Sequence, residues 1–106
     1  MIASPKTLPG ISPKTFQAFF KKQPVKKVYL FGSFARKTAT PESDIDLVVE
    51  LDYDKITTGL EFFSLWDNLE LLTGKKVDLV TQESLSKYAI PDFERDKILI
   101  YERLEA

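Results

Sequence analysis

Lys27-Val28-Tyr29-Leu30-Phe31-Gly32-Ser33, then ten residues, then Asp44-Ile45-Asp46-Leu47-Val48-Val49-Glu50-Leu51, is the stretch from which the fold is read. The first part is rich in β-branched and aromatic residues and stops at Gly32, a strand signal closed by a turn residue. The second part alternates. Ile45, Leu47, Val49 and Leu51 share one face of an extended chain, while Asp44, Asp46, Val48 and Glu50 share the other. One strand delivers the chain to Gly-Ser, and the next holds two acids on a common side. Another apolar run, Lys76-Val77-Asp78-Leu79-Val80, carries a third aspartate, which is costly to bury unless it has a partner such as a metal; a solvent-facing place on an edge strand is its competing reading.

Outward from this centre the elements follow in order. Residues 1–11, with Pro5, Pro9 and Gly10, read as an irregular lead-in. Ser12-Pro13 marks a helix start, Phe16, Phe19 and Phe20 lie on one helical face, and Pro24 ends the helix. Ser33 to Lys37 is a short helix and Thr38 to Ser43 a loop. From about Gly59 to Thr73 the period is helical, with Phe62, Leu65, Trp66, Leu69 and Leu72 in one stripe and Gly74 as cap. Leu60 and Leu71 project away from that stripe, as a partner surface or as end effects of the helix. Val77 to Thr81 is a third strand, Glu83 to Tyr88 a weak helical piece, and Lys97 to Tyr101 a fourth strand or the start of a terminal helix. Strands alternating with helices give an α/β fold, a small mixed β-sheet covered by helices, in a single domain over residues 1–106.

Composition narrows the chemistry. The net charge is -1, from 15 basic and 16 acidic residues, so no global field draws the protein to nucleic acid or to an anionic membrane. Lys21, Lys22, Lys26 and Lys27 form a local basic cluster that reads as solvated helix and strand ends, and direct nucleic-acid binding is not expected. Cysteine and histidine are both absent, which excludes disulfides and thiolate sites and removes the usual general base. No apolar run approaches the roughly 18 residues of a membrane span, and the expected location is cytoplasmic.

Residues two apart in a strand project to one side, and neighbouring strands lie about 4.8 Å apart, so Asp44, Asp46 and Asp78 can converge. Crowded carboxylates raise one another's pKa, and two Mg²⁺ or Mn²⁺ ions would offset that repulsion while clamping the oxygens of an in-line phosphoryl displacement. Gly32, without a Cβ, lets backbone amides approach an anion, and Ser33 adds a hydroxyl. A phosphate-cradling turn joined to metal-binding carboxylates points to nucleotidyl transfer. Arg36 lies one turn beyond Ser33, within reach of a phosphate, although an exposed arginine without contacts fits the pattern equally well.

The string Gly32-Ser33-Phe34-Ala35-Arg36 through Ser43-Asp44-Ile45-Asp46-Leu47, with Asp78 later, resembles the signature of the DNA polymerase beta-type nucleotidyltransferases and is most similar to the minimal members of that superfamily. The resemblance implies that fold, with Gly32 and Ser33 as phosphate-binding residues, Asp44 and Asp46 as paired metal ligands, and Asp78 as the third carboxylate. Lys37 departs from it, since members often have glycine there, and a required positive φ would strain lysine. The resemblance further implies AMP transfer from ATP to a protein hydroxyl, with a HEPN-type toxin as partner and this chain as its antitoxin. A non-catalytic toxin-binding module and a small-molecule nucleotidyltransferase are the alternatives, and a homo-oligomer is left open.

Overall fold

The computed structural model describes residues 11–103. The expected lead-in lies outside the described residues apart from Ile11, which packs against the core. Helix α1 (Pro13–Lys21) opens with the Ser12 side chain accepting from the Thr15 backbone N–H at 3.2 Å. Phe16 and Phe20 are fully buried, and Phe19 meets Phe20 edge to face at 5.0 Å. Strand β1 (Val25–Phe31) begins two residues before the β-rich run suggests, because Val25 already pairs with Leu51 and the Asp52 N–H donates to the Pro24 carbonyl at 2.8 Å.

Helix α2 (Gly32–Arg36) follows without a break, then strand β2 (Ile45–Leu51), helix α3 (Leu60–Thr73) and strand β3 (Val77–Thr81). Helix α4 (Ile90–Asp96) and strand β4 (Ile98–Glu102) complete the described fold. The helical piece expected at Glu83 to Tyr88 is instead a 3-10 turn, Gln82–Ser84, followed by non-helical turns. The helix lies just beyond it, with Pro91 in its first turn as the start signal, and it carries a single buried residue, Phe93, too little periodicity to stand out. Lys97 to Tyr101 resolves as strand, not helix, because β1 offers it a partner.

The four strands form one sheet in the order β3-β2-β1-β4, with β1 antiparallel to both β2 and β4, and β2 parallel to β3. One face is covered by α1 and α3 and holds the main core, in which Ile45, Leu47, Val49, Val28, Leu65, Leu69 and Leu79 are buried. Each such side chain contributes on the order of 1.5–3 kcal/mol when removed from water. The other face carries a smaller cluster of Tyr29, Val48 and Phe93, against which Phe31 packs at the acid-bearing end of the sheet. At the far end of the sheet, buried Asp52 is ion-paired with Arg103, whose hydrogen bond holds the Asp52 carboxyl below its usual range.

Candidate active site

Sheet register brings Asp46 and Asp78 into one row beside Gly32. Phe31 pairs with Asp46, and Asp46 pairs with Asp78, so the end of β1 and the starts of β2 and β3 lie side by side. Gly32 continues directly from Phe31 with φ +73°, and a Cβ there would stand 2.1 Å from Asp46 Oδ2. The glycine is therefore needed twice, for its backbone conformation and for the space that the Asp46 carboxylate fills. One level below, Tyr29, Val48 and Val80 form an apolar floor under Phe93.

Asp44 is exposed just ahead of β2, Asp46 is half-buried and Asp78 is exposed. Asp78 meets no burial cost, because β3 is an edge strand and its aspartate is exposed, as the competing edge-strand reading had it. What places Asp78 with the others is its register opposite Asp46. Burial raises the pKa of Asp46, the charges of Asp78 and Asp44 raise it further, and Arg36 opposes them. Asp46 thus senses the other three groups. Among the described residues no group of three acidic side chains is gathered tightly enough to hold a metal ion. The donor chemistry, carboxylate oxygens without nitrogen or sulfur, nevertheless matches a hard divalent cation, and the mutual repulsion at Asp46 is what such a charge would relieve.

Several residues outside the row hold it in place. Trp66 Nε1 donates to the Val77 carbonyl at 2.6 Å, and the Val77 N–H donates to Glu70 Oε2 at 2.9 Å, so α3 fixes the backbone beside Asp78. Lys75 Nζ donates to the Pro41 carbonyl at 3.1 Å and lies 5.8 Å from the Phe34 ring centre, tying the loop between the Gly-Ser turn and the acids to β3. The α2 helix has only five residues, so its dipole is small and the turn's own N–H groups are what an anion would meet. Arg36 is not without contacts: its Nη1 is ion-paired with Asp96 Oδ2 at 3.5 Å.

The basic cluster lies away from this row. Lys26 and Lys27 line a cavity of about 470 Å³ together with Lys55, Arg103 and four acids, Glu50, Asp52, Asp54 and Glu102, so its formal charges balance. On α3, Leu65 and Leu69 are buried while Leu60 and Leu71 are 67% and 81% exposed, as their place off the stripe implies, and Phe63 joins them at 60%. Among the described residues no helix is long and apolar enough to cross a membrane.

Comparison with known proteins accords with this geometry. The family model described as "Nucleotidyltransferase domain" matches residues 13–103. "Putative protein adenylyltransferase MJ1379" of Methanocaldococcus jannaschii is 41% identical over 80 residues, covering 74% of this chain and 80% of its own. The solved structure named "putative minimal nucleotidyltransferase" superposes with a TM-score of 0.64 at 28% identity, over 86% of this chain and 98% of that one. A toxin-antitoxin crystal structure with AMP-PNP reaches a TM-score of 0.68 at 20% identity, over 88% of this chain and 75% of that one, a likeness of fold. With a match running from the start of α1 to the last described residue, the chain belongs to the nucleotidyltransferase domain family, as an enzyme similar to the protein adenylyltransferases.

Proposed function

We propose that this chain transfers AMP from ATP to a hydroxyl of a protein partner, and that the partner is a HEPN-type toxin for which the chain serves as antitoxin. The observation that carries the reading is the row Gly32, Asp46, Asp78, which joins the Gly-Ser turn to the acids at one point of the sheet. The relative named as a protein adenylyltransferase and the fold shared with a toxin-antitoxin assembly support the choice of acceptor.

In this reading Gly32 and Ser33 receive the polyphosphate on backbone N–H groups and a hydroxyl, and Arg36 adds a guanidinium from the end of α2. Asp44, Asp46 and Asp78 would hold Mg²⁺ or Mn²⁺; two such ions, when bound, neutralise the carboxylates and the charge that develops on the attacking and leaving oxygens. The acceptor oxygen forms a bond to the α-phosphorus as the bond to pyrophosphate breaks. Asp78, exposed on the edge strand, has room beside it for a partner's side chain and takes the hydroxyl proton. The apolar surface offered to that partner is Leu60, Phe63 and Leu71 on α3.

Incubation with labelled ATP, Mg²⁺ and the product of the neighbouring gene, followed by mass analysis of both chains, tests the proposal. AMP on the partner is the expected result. A partner that is bound and neutralised without modification would make the chain an occluding module, and label appearing only on small molecules would make it a small-molecule enzyme.

A further inference from the structure

Arg36 ends a five-residue helix, and its side chain is nearly half exposed, so nothing within α2 dictates where the guanidinium points. Asp96, the last residue of α4, is by contrast only 11% exposed in its side chain and is gripped by Arg95, whose Nε donates to Oδ1 and Nη2 to Oδ2, both at 3.0 Å. The same carboxylate pairs with Arg36 Nη1 at 3.5 Å through Oδ2. The helix that ends in Arg36 begins at Gly32, directly against the Asp46 carboxylate. Arg36 is thus paired with Asp96 at the end of a helix that starts at the acid row.

We infer that Asp96 is a positioning residue for nucleotide binding, holding Arg36 by one edge of the guanidinium so that the other edge faces the polyphosphate of ATP. The inference rests on the function proposed above. A guanidinium has five N–H donors, enough to keep Asp96 while binding an anion, and an arginine already held loses less rotamer freedom when the ligand arrives. Simple electrostatics predicts the opposite effect of removing Asp96, since an anion near the nucleotide should repel it. The sign of the Asp96→Asn effect therefore separates positioning from plain charge.

Calorimetry of AMP-PNP with Mg²⁺ on the full chain, for wild type, Arg36→Ala, Asp96→Asn and the double variant, tests it. Arg36→Ala is expected to weaken binding about tenfold or more, the scale of one charge-assisted hydrogen bond. Asp96→Asn should weaken it about two- to tenfold, the scale of one freed side chain, and the double variant should bind as Arg36→Ala alone. Asp96→Glu should restore most of the loss, which a merely structural role would not predict, and it carries the comparison if the asparagine variant melts early. Unchanged or tighter binding by Asp96→Asn, or an Asp96→Asn loss that persists in full beside Arg36→Ala, overturns the positioning role while leaving the proposed function standing. An Arg36→Ala variant that binds normally removes Arg36, and Asp96 with it, from nucleotide binding. A wild-type chain that does not bind AMP-PNP overturns both this inference and the nucleotide site beneath it.

Discussion

Asp46 and Gly32 share one volume: the carboxylate oxygen Oδ2 lies 2.1 Å from the point where a Cβ on Gly32 would stand. Gly32→Ala must therefore displace the Asp46 side chain and hold alanine at φ +73°, a left-handed conformation that costs an L-residue about 1–2 kcal/mol. Nucleotide titration of this variant should show a larger loss than Ser33→Ala, which removes one hydroxyl and leaves the backbone approach open. An equal or reversed ranking would mean that the turn does not cradle phosphate.

Asp46→Asn separates stability from catalysis. Burial and the charges of Asp78 and Asp44 disfavour the ionised Asp46, so removing its charge should leave the melting temperature unchanged or raise it. Transfer of AMP should fall by ~10²-fold or more, the scale for losing one electrostatic contact to the reacting centre. Asp44→Asn should lose transfer on the same scale. Melting curves and transfer assays on the same preparations read both effects, and near-wild-type transfer would remove Asp46 from the site.

How much of this was legible before the structure depends on whether the signal is local. The alternation of β2 displays its face in the sequence, so the side on which Asp44 and Asp46 lie, and the buried Ile45, Leu47 and Val49, follow from period two. The α3 stripe is equally legible. For Asp78 the sequence left both a site role and an exposed edge-strand place open, because strand order is a long-range property that a five-residue run does not fix. The α4 helix buries only Phe93, and the contacts of Asp96 with Arg36, Lys75 with Pro41 and Arg103 with Asp52 join residues far apart in the chain. No spacing rule reaches such pairs.

Lys37 adopts φ 64° and ψ 32° where α2 ends, and among the described residues it is the one non-glycine with positive φ. The family resemblance placed glycine here, and the strain expected of lysine is present. Lys37→Gly removes a penalty of about 1–2 kcal/mol and costs about 0.5–1 kcal/mol in chain entropy, leaving a net gain of up to ~1.5 kcal/mol. Such a gain would raise the melting temperature by several degrees, at roughly 4–8 °C per kcal/mol for a domain of this size. Nucleotide affinity should be unaffected if Lys37 serves only the turn, and a tenfold loss of affinity would instead give its ammonium a place at the phosphates.

Glu61 caps α3 in place of a conventional N-cap side chain. Gly59 has none to offer, and the Glu61 carboxylate turns back to accept from the backbone N–H groups of Thr57 at 3.1 Å, Thr58 at 3.3 Å and Gly59 at 3.0 Å, with both threonine hydroxyls added. These bonds, that from the Thr57 N–H foremost, lower its pKa from 4.5 to about 2. A carboxylate whose pKa is lower folded than unfolded contributes stability that is complete above 4.5 and lost as pH falls from there through 2. Glu61→Gln should therefore melt below wild type at neutral pH, and the gap between the two melting temperatures should close across that window. Thermal melts of both proteins at steps from pH 6 to pH 2 check this, and a gap that stays constant with pH would show that the Glu61 charge plays no part in holding the start of the helix.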